Sequence, residues 1–83
     1  MKYVIKYAKS CLKYLQKLDR ITQLRIINAV NRLPYGDVKP LQSKADDYRL
    51  RVGNYRIIFN KDDQHLLIRI IKIAPRGEVY KKL

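Results

Sequence analysis

Tyr48-Arg-Leu-Arg-Val-Gly-Asn-Tyr-Arg-Ile-Ile-Phe59 is the stretch that decides how this chain folds. Gly53-Asn54 is a two-residue hairpin signal between two runs of strand formers. With these two residues as the turn, Val52 pairs with Tyr55. Antiparallel pairing then sets Arg51 opposite Arg56, Leu50 opposite Ile57, Arg49 opposite Ile58 and Tyr48 opposite Phe59. Tyr48, Leu50, Val52, Tyr55, Ile57 and Phe59 share one apolar face, suited to lie under a layer of helices. Arg49, Arg51 and Arg56 share the other.

Downstream, His65–Ile73 reads as a third strand, and Asp62-Asp63 centres the turn before it. An even-length loop centred there sets Arg69 opposite Arg56, so four guanidinium groups are expected on one patch of sheet. Residues 74–83 form a short basic tail. Upstream, residues 34–47 form a loop-like stretch with Pro34, Gly36, Pro40 and Asp46-Asp47. Before it, Ile26, Ile27, Val30 and Leu33 form the apolar stripe of a helix over about 20–33, with Asp19 as its cap and Pro34-Tyr35-Gly36 as its end. Ile21 and Leu24, off that stripe, are placed against a first helix over 8–18. In that helix Ala8, Cys11, Leu12, Leu15 and Leu18 fall on one face, and Lys9, Lys13, Gln16 and Lys17 fall opposite. Residues 2–7 alternate as an opening strand. The expected fold is α+β: a small, mostly antiparallel sheet of about four strands packed against an N-terminal helical hairpin, as one domain over residues 1–83.

Composition narrows the function. Hydrophobic residues make up 47% and charged residues 31%, which supports a folded domain with one modest core. The formal net charge is +12, from 19 Lys and Arg against 7 Asp and Glu. That excess costs self-repulsion and is best explained by a polyanionic partner, of which nucleic acid is one kind. Cys11 is alone, so no intrachain disulfide forms, and its place on an apolar helix face makes it a core residue. No apolar run approaches a membrane span, and Met1–Lys6 has no signal-peptide core. A cytoplasmic location is therefore expected, with no membrane partner.

Like charges opposed across strands destabilise a sheet, so an arginine cluster without nearby carboxylates points to a bound anion; the plainer alternative is a solvated face with splayed side chains. Arg76 and Tyr80 in the tail follow the last strand closely and can fold back over one end of the sheet. Guanidinium groups neutralise a pentavalent phosphorane, and a phenol can transfer a proton or stack on a base. His65 stands alone, so no histidine pair is available, and no metal-ligand spacing or phosphate-binding glycine loop is present. No metal or cofactor is expected. The Lys9, Lys13 and Lys17 face reads equally as RNA-backbone contact or as solvated surface.

The block Tyr48–Phe59, followed by Arg76-Gly-Glu-Val-Tyr80, resembles the RelE/ParE toxin superfamily, and the likeness in element order covers nearly the whole chain. The resemblance implies a sheet with the first strand beside the last. It also implies a type II toxin–antitoxin toxin: a ribosome-dependent endoribonuclease that cuts mRNA in the ribosomal decoding site and inhibits translation. In that family the ribose 2′-hydroxyl attacks the adjacent phosphate, and a cognate antitoxin neutralises the toxin; the +12 charge suits an acidic one. The family's catalytic positions fall on Arg49, Arg51, Arg56, Arg76 and Tyr80, with Arg69, Lys9, Lys13 and Lys17 as further RNA contacts. Family members taken as the type carry lysines where this chain has Arg49 and Arg51. Arginine stays protonated and is a poor base, which moves the role of base to Tyr80. Two alternatives stand beside this one: a ParE-like inhibitor of DNA gyrase, and a non-catalytic RNA- or ribosome-binding module.

Overall fold

In a computed structural model of the protein, residues 2–41 and 46–76 are described. The elements run β1 (Val4–Tyr7), α1 (Lys9–Gln16), α2 (Arg20–Asn31), β2 (Val38–Pro40), β3 (Asp47–Val52), β4 (Tyr55–Asp62) and β5 (Leu67–Pro75). The strands form one sheet in the order β1-β5-β4-β3-β2. β1 runs parallel to β5, and the other pairs are antiparallel. The α+β class, the helical hairpin and the first strand beside the last agree with the sequence reading.

The strand count is five, not about four. β2 has three residues and lies in the stretch read as loop. It was hidden because three residues carry no periodicity and one of them is Pro40, which lacks an N–H. Proline is tolerated there because β2 is an edge strand, with a partner on one side only.

The helices close over one face of the sheet. Asp19 caps α2 as expected, accepting hydrogen bonds from the Thr22 backbone N–H at 3.1 Å and the Thr22 hydroxyl at 2.6 Å. The Gln23 side-chain amide donates to the carbonyls of Leu15 at 2.7 Å and Leu18 at 3.0 Å, which stitches the end of α1 to the start of α2. Cys11, Leu15, Ile26, Val30 and Leu33 from the helical layer pack with Leu50, Ile57, Phe59, Ile68, Ile70 and Ile73 from the sheet. Tyr48, Val52 and Tyr55 flank this core, half-buried. Ile21 and Leu24, expected to cover the first helix, are instead 73% and 45% exposed.

The β3–β4 hairpin has the register read from sequence, from Val52↔Tyr55 to Tyr48↔Phe59. Gly53 opens the turn at φ +56°, where a β-carbon would be strained and would also stand 3.1 Å from Nη2 of Arg25. The β4–β5 register differs from expectation. β4 continues through Asp62, and the turn is residues 63–66. The Asp62 carboxylate accepts from the His65 backbone N–H at 3.1 Å and contacts its ring Nδ1 at 2.8 Å. A bulge at Ile58/Phe59 then shifts the ladder by one residue, leaving Ile71 as the unmatched residue of β5.

Candidate functional site: an arginine face on the open side of the sheet

The hairpin brings Arg49, Arg51 and Arg56 together on the face away from the helices. Arg51 pairs directly with Arg56, and Arg49 lies one row further along β3. Their exposures are unequal. Arg49 is 8% and Arg56 6% exposed, whereas the Arg51 side chain is 48% exposed. The two buried guanidiniums are therefore not free to splay into solvent. Nη1 of Arg49 and both Nε and Nη1 of Arg56 are fully covered, with no hydrogen-bond partner among the described residues. Buried donors without partners are unfavourable in a resting protein. A phosphate oxygen that displaced what covers them would satisfy them.

A carboxylate does stand beside this cluster, contrary to the sequence expectation. Asp37 Oδ2 accepts from Arg51 Nε at 2.8 Å, and Oδ1 lies 3.9 Å from Arg49 Nη2. The Asp37 carbonyl also accepts from the Arg51 backbone N–H at 3.0 Å, which fixes the residue at the head of β2. Sequence reasoning missed Asp37 because the contact spans 14 positions and depends on a strand too short to detect. The hydrogen bond from Arg51 holds the Asp37 carboxyl below the ordinary carboxylate range, with further lowering from the charges of Arg51, Arg49 and Lys39.

Arg69 does not join the cluster opposite Arg56. With the turn at 63–66 and the bulge at Ile71, Arg56 pairs with Ala74, and Arg69 pairs with Asn60 on one side and Lys6 on the other. Lys72 takes the nearer place: it pairs with Ile58, which pairs with Arg49, which pairs with Lys39. Lys39 and Lys72, both exposed, thus extend the arginine row to either side. No sequence signal indicated Lys72, since the turn at 63–66 and the bulge together set its register.

The Arg76 backbone N–H donates to the Asn54 carbonyl at 2.6 Å, which continues the β4–β5 ladder as far as the hairpin turn. Tyr80 and Glu78 lie outside the described residues. Lys9, Lys13 and Lys17 are exposed on α1 or at its end, on the helical side of the sheet and apart from the arginines. Cys11 is buried against the Ile70 carbonyl, its Sγ 3.6 Å from that oxygen, and burial pushes its thiol up, so it is not a nucleophile. Among the described residues no group of three or more His, Cys, Asp or Glu side chains converges as a metal site. No helix among them is long and apolar enough to cross a membrane.

Three carboxylates share a pH signature. Asp19 is lowered by hydrogen bonds from Thr22, Asp37 by Arg51 and Asp62 by His65. A depressed folded value means that each contributes stability above the ordinary aspartate value of about 3.9 and loses it as pH falls through the folded value. The melting temperature should therefore stay nearly level from about pH 7 to 5 and fall below about pH 4. Asp37→Asn should make that acid fall shallower. A melting temperature that rises on acidification through this range would contradict the assignment.

Comparison with known proteins gives consistent results. The family model for the ParE toxin of type II toxin–antitoxin systems (parDE) matches residues 5–80. Toxin RelG of Mycobacterium tuberculosis is 28% identical over 91 residues, covering 99% of this chain and all of that protein. Among solved structures, the archaeal RelE–RelB complex from Pyrococcus horikoshii OT3 contains a chain 32% identical, with TM-score 0.81, covering 94% of this chain and 99% of that one. A chain of the M. tuberculosis RelBE2 toxin–antitoxin complex shares the fold at TM-score 0.78 and 23% identity, covering 92% of this chain and all of that one.

Proposed function

This chain belongs to the RelE/ParE toxin superfamily of type II toxin–antitoxin systems, on its RelE-like branch, and from that premise we propose that it is a ribosome-dependent endoribonuclease that cleaves mRNA. The observation that carries the reading is the pair of buried guanidiniums, Arg49 and Arg56, with unpartnered donors beside the half-exposed Arg51. A site built to hold charge on a phosphoryl group needs such preorganised donors in a region where water does not screen them.

In this mechanism the mRNA phosphate sits on the arginine face. The 2′-oxygen bonds to phosphorus as its proton passes to the phenolate of Tyr80, the form that neighbouring guanidinium charge favours. Arg49, Arg51 and Arg56 neutralise the phosphorane. Arg76, held at the hairpin turn by its backbone, stabilises charge on the departing 5′-oxygen, which takes its proton from water. The products are a 2′,3′-cyclic phosphate and a 5′-hydroxyl. The ribosome supplies the constraint that holds the strand in line for attack. Arg69, Lys9, Lys13 and Lys17, spread over the surface, serve as contacts to RNA backbone.

A cognate antitoxin completes the system. The structural relatives are solved as toxin–antitoxin complexes, and a chain of net charge +12 favours fast association with an acidic partner.

The ParE description of the matching family model keeps one other reading in play, a DNA gyrase inhibitor. Adding purified protein to a translation reaction and mapping mRNA ends by primer extension separates the two. Discrete cleavage supports the nuclease, and accumulated gyrase–DNA breaks without mRNA ends support the inhibitor. The chemical step assigned here uses side chains alone. Chelating metal with EDTA in a preassembled complex, with the ribosome's own magnesium requirement controlled, should leave the single-turnover rate unchanged. Strict loss of that step would overturn the mechanism.

A further inference from the structure

At the far end of the sheet from the arginines is a groove of about 680 Å³, lined by Lys2, Tyr3 and Ile5 beside β1 and by Asn31–Tyr35 at the end of α2. Such a volume suits one nucleotide. The Val4 backbone N–H donates to Leu66, so the groove lies next to the 63–66 turn. The eight residues of β4 separate that turn from Gly53-Asn54, about 25 Å at the rise of a strand.

Three features describe its occupant. Tyr35 is 78% exposed, an aromatic ring that the core does not use. The Tyr3 hydroxyl donates to Asp63, which fixes the second ring of the groove. Among the described lining residues Lys2 and Arg32 carry the charge and none is a carboxylate, Asp63 standing behind the Tyr3 hydroxyl. An apolar peptide anchor would find Lys2, Asn31 and Arg32 in its way, whereas flat rings among cations suit an unpaired base and its phosphates.

A track also leads there. The Arg25 guanidinium, on the helical side of the sheet, lies over Gly53 at the hairpin turn, where a strand can round the end of the sheet from the arginine face. Arg32 is seven residues further along, on the same side of α2 and about 10 Å away. A strand leaving the arginine face at the hairpin would pass Arg25, then Arg32, before reaching Tyr35.

We propose that this groove is a second RNA subsite, which takes one unpaired base of the strand held on the arginine face, stacked on Tyr35, with its phosphates on Arg32 and Lys2. The proposal rests on the reading that the arginine face binds RNA. It gives the protein a footprint of several nucleotides, of which the distal end contributes affinity and none of the chemistry.

Binding of 2′-O-methyl RNA, which has no free 2′-hydroxyl to attack, tests this without reference to cleavage. A tetranucleotide reaches the arginine face alone, and a dodecanucleotide reaches both sites. Tyr35→Ala should weaken dodecanucleotide binding by roughly 5- to 150-fold, the range for losing one stacked base, and leave tetranucleotide binding unchanged. Tyr35→Phe and Tyr35→Trp should retain the affinity, since stacking needs only the ring. Near-UV circular dichroism should report an intact fold, because Tyr35 is exposed.

Equal effects on both lengths, no effect on either, or a loss in Tyr35→Phe as large as in Tyr35→Ala would overturn the proposal. So would Tyr35→Ala weakening only the binding of an acidic antitoxin, which would make the groove a protein site. If the wild-type protein binds the tetranucleotide and gains nothing from the longer strand, the groove proposal alone fails. If it binds neither, the arginine-face reading fails first.

Discussion

Arg56→Ala is expected to cost roughly 10²–10³ in the rate of mRNA cleavage on the ribosome, the loss typical of removing one preorganised donor to a developing oxyanion, while the protein melts at the same or a higher temperature. The second half separates site from scaffold, and magnitudes decide its sign. Truncation to Ala removes two buried methylenes, about 0.8 kcal/mol each. It also removes two covered nitrogens that have no partner among the described residues, each an unsatisfied group costing about 1–3 kcal/mol. Relief of the direct opposition to Arg51 adds in the same direction. The balance favours the variant's stability. Single-turnover cleavage and a thermal melt on the same preparation check both halves, and an Arg56→Ala protein that unfolds early would show the arginine to be structural.

Tyr80→Phe should keep ribosome binding and slow cleavage by roughly 10²–10⁴-fold, the usual effect of losing a general acid–base group. The argument is by chemistry. Guanidinium groups stay protonated and accept no proton, and they fill the positions where lysines stand in the type members of the family. His65 is taken up by Asp62 at the 63–66 turn, on the far side of β4 from the hairpin. Tyr80, as its phenolate, is the side chain left in the C-terminal motif that can take the 2′-hydroxyl proton. Phe preserves the ring, so a tyrosine that only stacks on a base would survive the change. A fully active Tyr80→Phe protein would remove Tyr80 from the proton transfer. Measuring ribosome affinity alongside the rate keeps a binding defect from passing as a chemical one.

The parts of this molecule that were readable from sequence are those set by local rules. Gly53-Asn54 pinned the β3–β4 register because a two-residue turn leaves no freedom in pairing. Asp19 announced α2 because its cap to Thr22 is three residues long. The β4–β5 register was misread because Asp62-Asp63 has turn composition, yet Asp62 ends the strand and uses its side chain to hold the turn that follows. With the bulge at Ile71, Ala74 stands opposite Arg56 where an arginine was expected, and Lys72 falls in the Arg49 row. Alternation correctly put Arg49 and Arg56 on the open face. It could not show that they are buried there, since burial depends on what packs over a strand and not on its own periodicity. Asp37 was invisible for a related reason: its partners come from a strand that reaches it only once β2 has formed. Tyr80 remains a motif-based assignment, because it lies outside the described residues.

The central claim is that the arginine face acts on mRNA in the context of the ribosome. The most direct measurement is primer extension on one defined mRNA, offered to substoichiometric purified protein as naked RNA and as a programmed ribosome complex. The account predicts discrete new 5′ ends, bearing hydroxyls, in the ribosome complex, absent with Arg56→Ala and scarce on the naked strand. Equal cutting of both substrates, or no cutting of either, would contradict it.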